Sequence, residues 1–201
     1  MLEAADLHCE RGGRKLFADL SFSLPRGESL RVAGANGSGK TSLLRILCGL
    51  AAPSSGVVRW NGQAIGSLKE EYARQLVYLG HAPAVKGDLT AAENLSIACT
   101  LAGAAVPSSA LAAALGRFGL PPDTQVRKLS QGQRRRAALA RLALGEAAAL
   151  WILDEPFSAL DSQGAGLLNE LFAQQLSRGG AIVFTTHQDA GFAAARTVEL
   201  A

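Results

Sequence analysis

The sequence has 201 residues, enough for one well-buried domain and too few for two full-sized ones. Its 20 Lys and Arg residues and 17 Asp and Glu residues give a formal net charge of +3, too small to indicate nucleic acid as a main partner. The three cysteines, Cys9, Cys48 and Cys99, lack C-x-x-C spacing and support neither a disulfide framework nor a zinc site. This cysteine usage favours a reducing cytoplasm, and the acidic residues 1–6 do not resemble a secretory signal.

The chain begins with short apolar runs that alternate with polar ones over residues 1–30, a pattern typical of strands with one buried face. Farther along, residues 56–63 contain the Asn61-Gly62 dipeptide of a tight hairpin turn. We predict that these segments form a small antiparallel β-sheet.

Residues 34–41 combine a glycine loop with the end of an apolar run and the start of a helix, in the pattern G-x-x-x-x-G-K-[ST] of a P-loop. Backbone N–H groups of small residues can approach a polyphosphate closely, and the following helix adds the positive end of its dipole. We therefore predict a nucleoside triphosphate site in which Lys40 reaches the β and γ phosphates and Thr41 binds Mg²⁺. The predicted phosphate-binding residues are Gly34, Ala35, Asn36, Gly37, Ser38, Gly39, Lys40, Thr41 and Ser42.

Three later runs are short, continuous and apolar, and each is followed by polar residues: 76–79, 150–153 and 182–184. This pattern is typical of parallel strands that are buried on both faces. Together with the strand before the P-loop, these runs predict the parallel core sheet of an α/β fold.

Residues from about 83 to 146 indicate a mostly helical insertion between two of these strands. The segment Thr90-Ala91-Ala92-Glu93 is a capping box that opens a helix, and residues 131–144 are dense in Ala, Leu and Arg. Residues 95–116 carry no charge and are long enough for a membrane span, but they are rich in alanine and divided by Pro107-Ser108-Ser109. We expect two helices around a break there, not a membrane span.

Asp154 and Glu155 follow the predicted strand at 150–153, where ligands bind in a parallel sheet. Asp154 suits the role of holding Mg²⁺, directly or through water, and Glu155 is placed to accept a proton from an attacking water. The alternative is that one of them only caps the turn before Pro156. The P-loop upstream favours the catalytic role.

Residues 129–133, Leu-Ser-Gln-Gly-Gln, with the Arg- and Ala-rich residues 134–141, resemble the signature motif of ATP-binding cassette (ABC) ATPases, usually written LSGGQ. The resemblance covers nearly the whole chain, and as a set its motifs are highly specific. The remaining motifs appear in the family's order: the P-loop, residues 150–156, the D-loop at 158–161 and the switch histidine, His187.

The resemblance implies the ABC ATPase fold, a P-loop NTPase core with an N-terminal antiparallel β subdomain and a helical insertion. It implies one domain over residues 1–201, divided into a β-rich and P-loop part at about 1–82, a helical subdomain at about 83–146 and a core at about 147–201.

In this family the signature binds an ATP molecule that is held by a second copy, so two ATP molecules are sandwiched in a head-to-tail dimer. The free N–H groups at the start of the helix after the signature suit such an anion. For His187 the resemblance implies contact with the γ-phosphate or with the attacking water. The residues implied to bind the other copy's ATP are Ser130, Gln131, Gly132 and Gln133.

Several positions depart from the usual pattern of the family, beginning with Gln131, which replaces a signature glycine. The Q-loop glutamine is absent, and Gly80-His81 stands there; His81 offers an imidazole nitrogen to Mg²⁺ or water, a contact that is sensitive to pH. No aromatic residue stands near Glu10-Arg11 to stack on adenine, which leaves the Arg11 guanidinium as the alternative. For Arg134-Arg135-Arg136 we expect a solvated helix face in preference to nucleic-acid binding.

Residues 80–83, Lys86 and residues 89–95 resemble one branch of the family, the ATPase subunits of the cytochrome c maturation system. That branch implies a peripheral protein at the cytoplasmic face of the bacterial inner membrane, in complex with separate integral membrane subunits. It also implies work coupled to haem export or to release of a haem-loaded chaperone. The chain has neither a C-x-x-C-H motif nor a Cys-Pro pair, so no direct haem site is predicted.

The leading hypothesis is a transporter motor in which ATP closes the dimer, hydrolysis opens it, and membrane subunits convert closure into movement. An ATPase of another ABC exporter is an alternative. A soluble ABC ATPase that acts on nucleic acid or ribosomes is a further one, although such chains usually carry long coiled-coil insertions or two cassettes. A P-loop kinase would leave the signature and His187 unexplained.

Overall fold

The computed structural model describes residues 1–144, 148–187 and 191–200. The strands, in chain order, are β1 (Leu2–Arg11), β2 (Arg14–Leu24), β3 (Ser29–Gly34), β4 (Ser55–Trp60), β5 (Gln63–Ala64), β6 (Leu76–Leu79), β7 (Leu150–Leu153), β8 (Ala181–Thr185) and β9 (Arg196–Leu200). The α-helices are α1 (Lys40–Leu47), α2 (Ile65–Leu68), α3 (Glu70–Arg74), α4 (Ala91–Leu101), α5 (Ser108–Arg117), α6 (Gln131–Leu139) and α7 (Ser162–Ser177).

An antiparallel sheet in the order β2-β1-β4-β5 contains the N-terminal strands. Its β4–β5 turn is formed by Asn61 and Gly62, which both have positive φ, at 50° and 83°. Positive φ at both central residues is the requirement of the type I′ turn that suits the twist of a hairpin. The antiparallel sheet and its Asn-Gly turn, both predicted from the sequence, are therefore confirmed.

The second sheet is parallel throughout, in the order β6-β7-β8-β3-β9. Every residue of β7 and β8 is buried, as continuous apolar runs predict for central parallel strands. The strands predicted at 76–79, 150–153 and 182–184 are confirmed, and β9, at the edge beside β3, is a further strand that the sequence patterns did not indicate.

The two faces of the parallel sheet are covered by different layers. Along β7, Trp151 and Leu153 pack in a cluster with side chains of α4 to α7, whereas Leu150 and Ile152 pack with α1 and the antiparallel sheet. Successive strand residues point to opposite faces, so this alternation places helices on one face and the antiparallel sheet with α1 on the other. The predicted α/β architecture is thereby confirmed.

Two separate helices occupy the uncharged stretch, as predicted: α4 begins at a capping box formed by Thr90 and Glu93, and residues 102–107 separate it from α5. Over the described ranges, no helix is both long and apolar enough to cross a membrane. The division of the chain near residues 82 and 146 stays a prediction, and the second boundary adjoins residues 145–147, outside the described residues.

Four neighbouring strands of the parallel sheet, β6, β7, β8 and β3, bring their carboxyl ends to one edge. His81 follows β6, Asp154 follows β7, His187 follows β8, and the P-loop follows β3. Strand order thus gathers segments that lie far apart in sequence, at the edge where parallel sheets bind ligands.

Candidate active site

The P-loop glycines occupy positions that a side chain would disturb. Gly34 has φ of 139°, and a Cβ there would lie 2.6 Å from the carbonyl oxygen of Leu200. Gly39, which precedes α1, has φ of 102°, and a Cβ there would lie 3.0 Å from Cβ of Leu16. Both positive φ and close approach therefore require glycine, and the loop keeps its backbone exposed to a ligand.

Lys40 extends back over this loop. Its Nζ donates hydrogen bonds to the carbonyl oxygens of Gly34 at 2.7 Å and Ala35 at 3.0 Å. Ser38 is largely buried, and its amide donates to the carbonyl of Ala35 at 3.2 Å. These bonds place a positive charge beside the N-terminus of α1, where the helix dipole also attracts anions.

A chain of hydrogen bonds joins the P-loop helix to two neighbouring strands. The hydroxyl of Thr41 donates to Oδ2 of Asp154 at 2.8 Å, and the hydroxyl of Thr185 donates to Oδ1 of the same carboxylate at 2.8 Å. Thr185 Oγ1 in turn accepts from the amide of Glu155 at 2.8 Å. Asp154 is 3% exposed, so its carboxylate is held in one orientation by two hydroxyls.

Glu155 adopts a left-handed backbone conformation, with φ of 51°. Its side chain is 13% exposed, Oε2 accepts from the backbone amide of His187 at 3.2 Å, and Oε1 lies 3.6 Å from Nε2 of His187. Among the described residues, Oε1 has no hydrogen-bond partner. A carboxylate oxygen with spare acceptor capacity thus lies beside an imidazole.

These groups surround a cavity of about 490 Å³. The cavity brings His81, Asp154, Glu155 and His187 together with part of the predicted phosphate-binding loop, and the roles of these residues stay predictions. Gly34, Ala35 and Ser38 belong to the loop but do not line the cavity. The residues that line it are Leu16, Asn36, Gly37, Gly39, Lys40, Thr41, Ser42, His81, Asp154, Glu155 and His187.

The signature residues are built as a helix start, away from this cavity. The hydroxyl of Ser130 caps α6 by accepting from the amide of Gln133 at 3.2 Å, and the Gln133 side chain accepts from the amide of Ser130 at 2.9 Å. Gly132 packs so tightly that a Cβ would lie 2.8 Å from the carbonyl oxygen of Ala159 in the D-loop. Ser130 and Gln131 are exposed, and none of the four lines the chain's own cavity.

The expectation of a solvated face for the three arginines of α6 is wrong. Arg135 is buried, and Arg136 donates to the Asp161 carboxylate at 2.6 Å in an ion pair that holds the D-loop. Arg134 is exposed, but its guanidinium still donates to the carbonyls of Val126 and Arg127, at 3.2 and 3.0 Å. The reason is that α6 packs against the ends of β6 and β7 and against the D-loop. The backbone carbonyls after the two strands accept from Arg135, and the D-loop carboxylate accepts from Arg136.

The residue that the antiparallel sheet contributes to the cavity is Leu16 of β2. Arg11, proposed from the sequence as the group that stacks on the base, does not line the cavity and donates to the carbonyl of Ala52 at 3.2 Å. Sequence reasoning missed Leu16, although the apolar pair Leu16-Phe17 that follows Arg14-Lys15 is a visible signal of burial. It also missed Thr185 as a partner of both acidic residues, which only the β7–β8 pairing explains.

Known proteins resemble this chain over most of its length. The family model described as ABC transporter matches residues 17–158. The cytochrome c biogenesis ATP-binding export protein CcmA of Aromatoleum aromaticum is 52% identical over 98% of this chain and 94% of its own length. A solved ATP-binding subunit of an ABC transporter has 28% identity and a TM-score of 0.84, covering 95% of this chain and 81% of that one.

A second solved structure, the dimeric ATP-binding cassette MJ0796 bound to ADP and Pi, has 22% identity and a TM-score of 0.84, and covers all of this chain and 94% of that one. At that identity it supports the fold alone. The family match and the 52% identity over nearly the full length carry the assignment. The chain belongs to the ABC transporter family of ATP-binding proteins, in the branch of the export proteins named CcmA.

Proposed function

We propose that this chain is the ATP-hydrolysing motor subunit of a membrane export complex in c-type cytochrome maturation, where it drives haem export or release of a haem-loaded chaperone. The observation that carries the proposal is the 52% identity, over nearly the full length, to a cytochrome c biogenesis ATP-binding export protein. The site has the groups that ATP hydrolysis needs, namely a phosphate loop, a buried aspartate and a glutamate with a free acceptor oxygen.

As a member of the ABC family the chain binds ATP, and we assign the triphosphate to residues 34–42. Mg²⁺ fits the pair of oxygen groups formed by the hydroxyl of Thr41 and the carboxylate of Asp154, because Mg²⁺ prefers oxygen ligands and binds through one or two protein groups plus phosphates. Among the described residues, no group of three or more His, Cys, Asp or Glu side chains is placed to hold a metal ion. When bound there, the ion would neutralise negative charge on the phosphates.

Glu155 is proposed as the general base that takes a proton from the attacking water. Glu155 lines the cavity, its buried Oε1 has no hydrogen-bond partner among the described residues, and its Oε2 accepts from the amide of His187. His187 then holds the γ-phosphate or the water with its imidazole, and His81, exposed at the cavity wall, contacts water or the metal in place of a glutamine.

A second copy of the chain is proposed to complete each site. Ser130 and Gln131 are exposed at the N-terminus of α6, where free N–H groups and the helix dipole attract an anion. These residues do not line the chain's own cavity, so a triphosphate that they bind belongs to another copy. Gln133 and Gly132 shape the helix start, the first through the capping box and the second through its contact with the D-loop.

Integral membrane subunits are proposed as the other partners, at the cytoplasmic face of the bacterial inner membrane. An apolar groove of about 480 Å³ lies between α4 and the segment after β6. It contains three of the four exposed large hydrophobic side chains of the described residues: Leu50, Ile97 and Leu101, which are 65%, 47% and 84% exposed. Such a cluster marks a binding surface for an apolar partner.

The groove also adjoins the catalytic cavity through one short segment. Ala84 and Lys86 line the groove, and His81 lines the cavity. A partner in the groove would therefore contact the segment that begins at His81 in the catalytic cavity. No nucleic-acid partner is proposed, since the guanidinium groups of Arg134, Arg135 and Arg136 all donate to protein acceptors.

Replacing Leu101 by glutamate tests the motor proposal. The variant places a charge in the apolar groove, so we expect recovery of integral membrane subunits in affinity purification from native membranes to fall about tenfold or more. Haem-stained c-type cytochromes should fall with it, whereas ATP turnover by the isolated chain should stay within about twofold, because Leu101 lies outside the catalytic cavity.

The matched control is Ala113→Glu, on an exposed position of α5 outside the groove, which should leave all three measurements unchanged. Unchanged recovery of membrane subunits with Leu101→Glu would remove the groove as their binding surface. Recovery of the unaltered chain with ribosomes or DNA in place of membrane subunits would overturn the motor proposal itself.

A further inference from the structure

The buried side chain of Arg135 joins two loops of the active site through four backbone carbonyls. Nη1 donates to the carbonyls of Gly80 at 2.9 Å and His81 at 3.1 Å. Nη2 donates to the carbonyls of Asp154 at 2.6 Å and Glu155 at 2.7 Å. The residue is 4% exposed, so one guanidinium connects the backbone of His81 with the backbone of both acidic residues.

These carbonyls lie where two strands separate. The β6–β7 ladder ends at the pair Leu79 and Leu153, and the amide of Asp154 still donates to the carbonyl of Leu79 at 2.8 Å. Beyond that point each strand turns into its own loop, and its carbonyls need donors from elsewhere. Arg135 supplies them, and so extends the connection between the two strands into the catalytic site.

An arginine is the side chain suited to this task. Its planar guanidinium offers five N–H groups in a fixed fork, whereas a lysine offers a point charge and a glutamine only a short amide. Burial lowers the pKa of Arg135, and the charges of Asp154 and Glu155 act in the opposite direction. Its Nε has no hydrogen-bond partner among the described residues, so the two Nη groups alone set its orientation.

We propose that Arg135 is a positioning residue for ATP hydrolysis, which sets the backbone of Glu155 and of His81 relative to each other across the cavity. The proposal rests on the proposed role of Glu155 as general base. A displacement of about 1 Å in the backbone of a general base is enough to slow its reaction strongly. Arg135 is not among the described residues that line the cavity, so its loss acts on turnover and not on nucleotide affinity.

The test compares Arg135→Lys and Arg135→Gln in the full chain with the control Arg134→Gln. Arg134 is the exposed neighbour on α6, and its hydrogen bonds lead to Val126 and Arg127, away from the catalytic loops. We expect both Arg135 variants to lower kcat about tenfold or more, with the KM for ATP within about threefold. Arg134→Gln should change neither constant by more than about twofold.

Arg135→Ala supplies a second measurement, because added guanidinium ion at millimolar concentration can enter the space that the side chain leaves. Partial recovery of kcat with guanidinium, and none with ammonium, supports the positioning role. A kcat within about twofold of the unaltered chain for Arg135→Lys overturns the proposal, as does loss of the folded state in both Arg135→Lys and Arg135→Gln. Normal turnover by Glu155→Gln would contradict the role of Glu155 as general base, whatever the Arg135 variants do. Failure of the proposed base can therefore be distinguished from failure of the positioning role of Arg135.

Discussion

We expect the Glu155→Gln variant to hydrolyse ATP about a hundredfold or more slowly than the unaltered chain, while it binds ATP with similar affinity. Glutamine has the size of glutamate and keeps an acceptor oxygen for the amide of His187, which now lies 3.2 Å from Oε2. An amide cannot take a proton from water at neutral pH, so only the chemical step loses its base. Turnover and the dissociation constant for a fluorescent ATP analogue are the measurements.

The control for this variant is Glu71→Gln, which removes an exposed carboxylate on α3 far along the chain from the site. It should leave turnover within about twofold. A Glu155→Gln variant with near-normal turnover would remove Glu155 as the base and leave it as the residue that closes the turn before Pro156. Equal losses in turnover and in ATP affinity would assign the carboxylate to nucleotide binding.

The glycine loop at residues 34–41 could be predicted because its geometry is local. Residues 34–41 work through their own backbone, and the requirement for glycine at Gly34 and Gly39 is visible in the sequence itself. The acidic pair was placed by a similarly local pattern, since buried parallel strands are continuous apolar runs whose carboxyl ends meet at one edge. A prediction of which runs are parallel strands, and where each strand ends, was therefore enough to place Asp154 at the same sheet edge as Thr41, whose hydroxyl donates to it.

The role of Arg135 could not be predicted in the same way. A run of three arginines on a helix has no apolar periodicity, so the sequence does not show which side faces the protein. Only the packing of α6 against the ends of β6 and β7 makes Arg135 buried while Arg134 stays exposed. A buried guanidinium also needs several acceptors, and those acceptors are backbone carbonyls, which every residue carries.

The wall of the cavity beside the P-loop depends on packing between sheets. A Cβ on Gly39 would lie 3.0 Å from Cβ of Leu16, so β2 packs directly on the end of the P-loop. Leu16 lines the cavity, whereas Arg11, at the end of β1, does not. The sequence does not show this contact, because it forms between the antiparallel sheet and the loop that follows a strand of the other sheet.

The proposed head-to-tail dimer predicts that two inactive variants restore each other. On this proposal, Lys40→Ala removes the charge that would face the phosphates, and Ser130→Asp places a carboxylate where the other copy's triphosphate would lie. Aspartate is as good a helix cap as serine, so the second change leaves α6 formed. We expect each variant alone to lose about 99% of ATP turnover.

Mixing the two variants should restore up to about a quarter of the turnover, because half of randomly formed dimers pair one copy of each, and such a dimer has one intact site of two. In that site the P-loop comes from the Ser130→Asp copy and the signature from the Lys40→Ala copy. Mixing Lys40→Ala with Glu155→Gln is the matched control and should restore nothing, because both groups belong to the cavity of one chain and every site then has a defect. A mixture of Lys40→Ala and Ser130→Asp that stayed as inactive as its components would contradict a site shared between two copies.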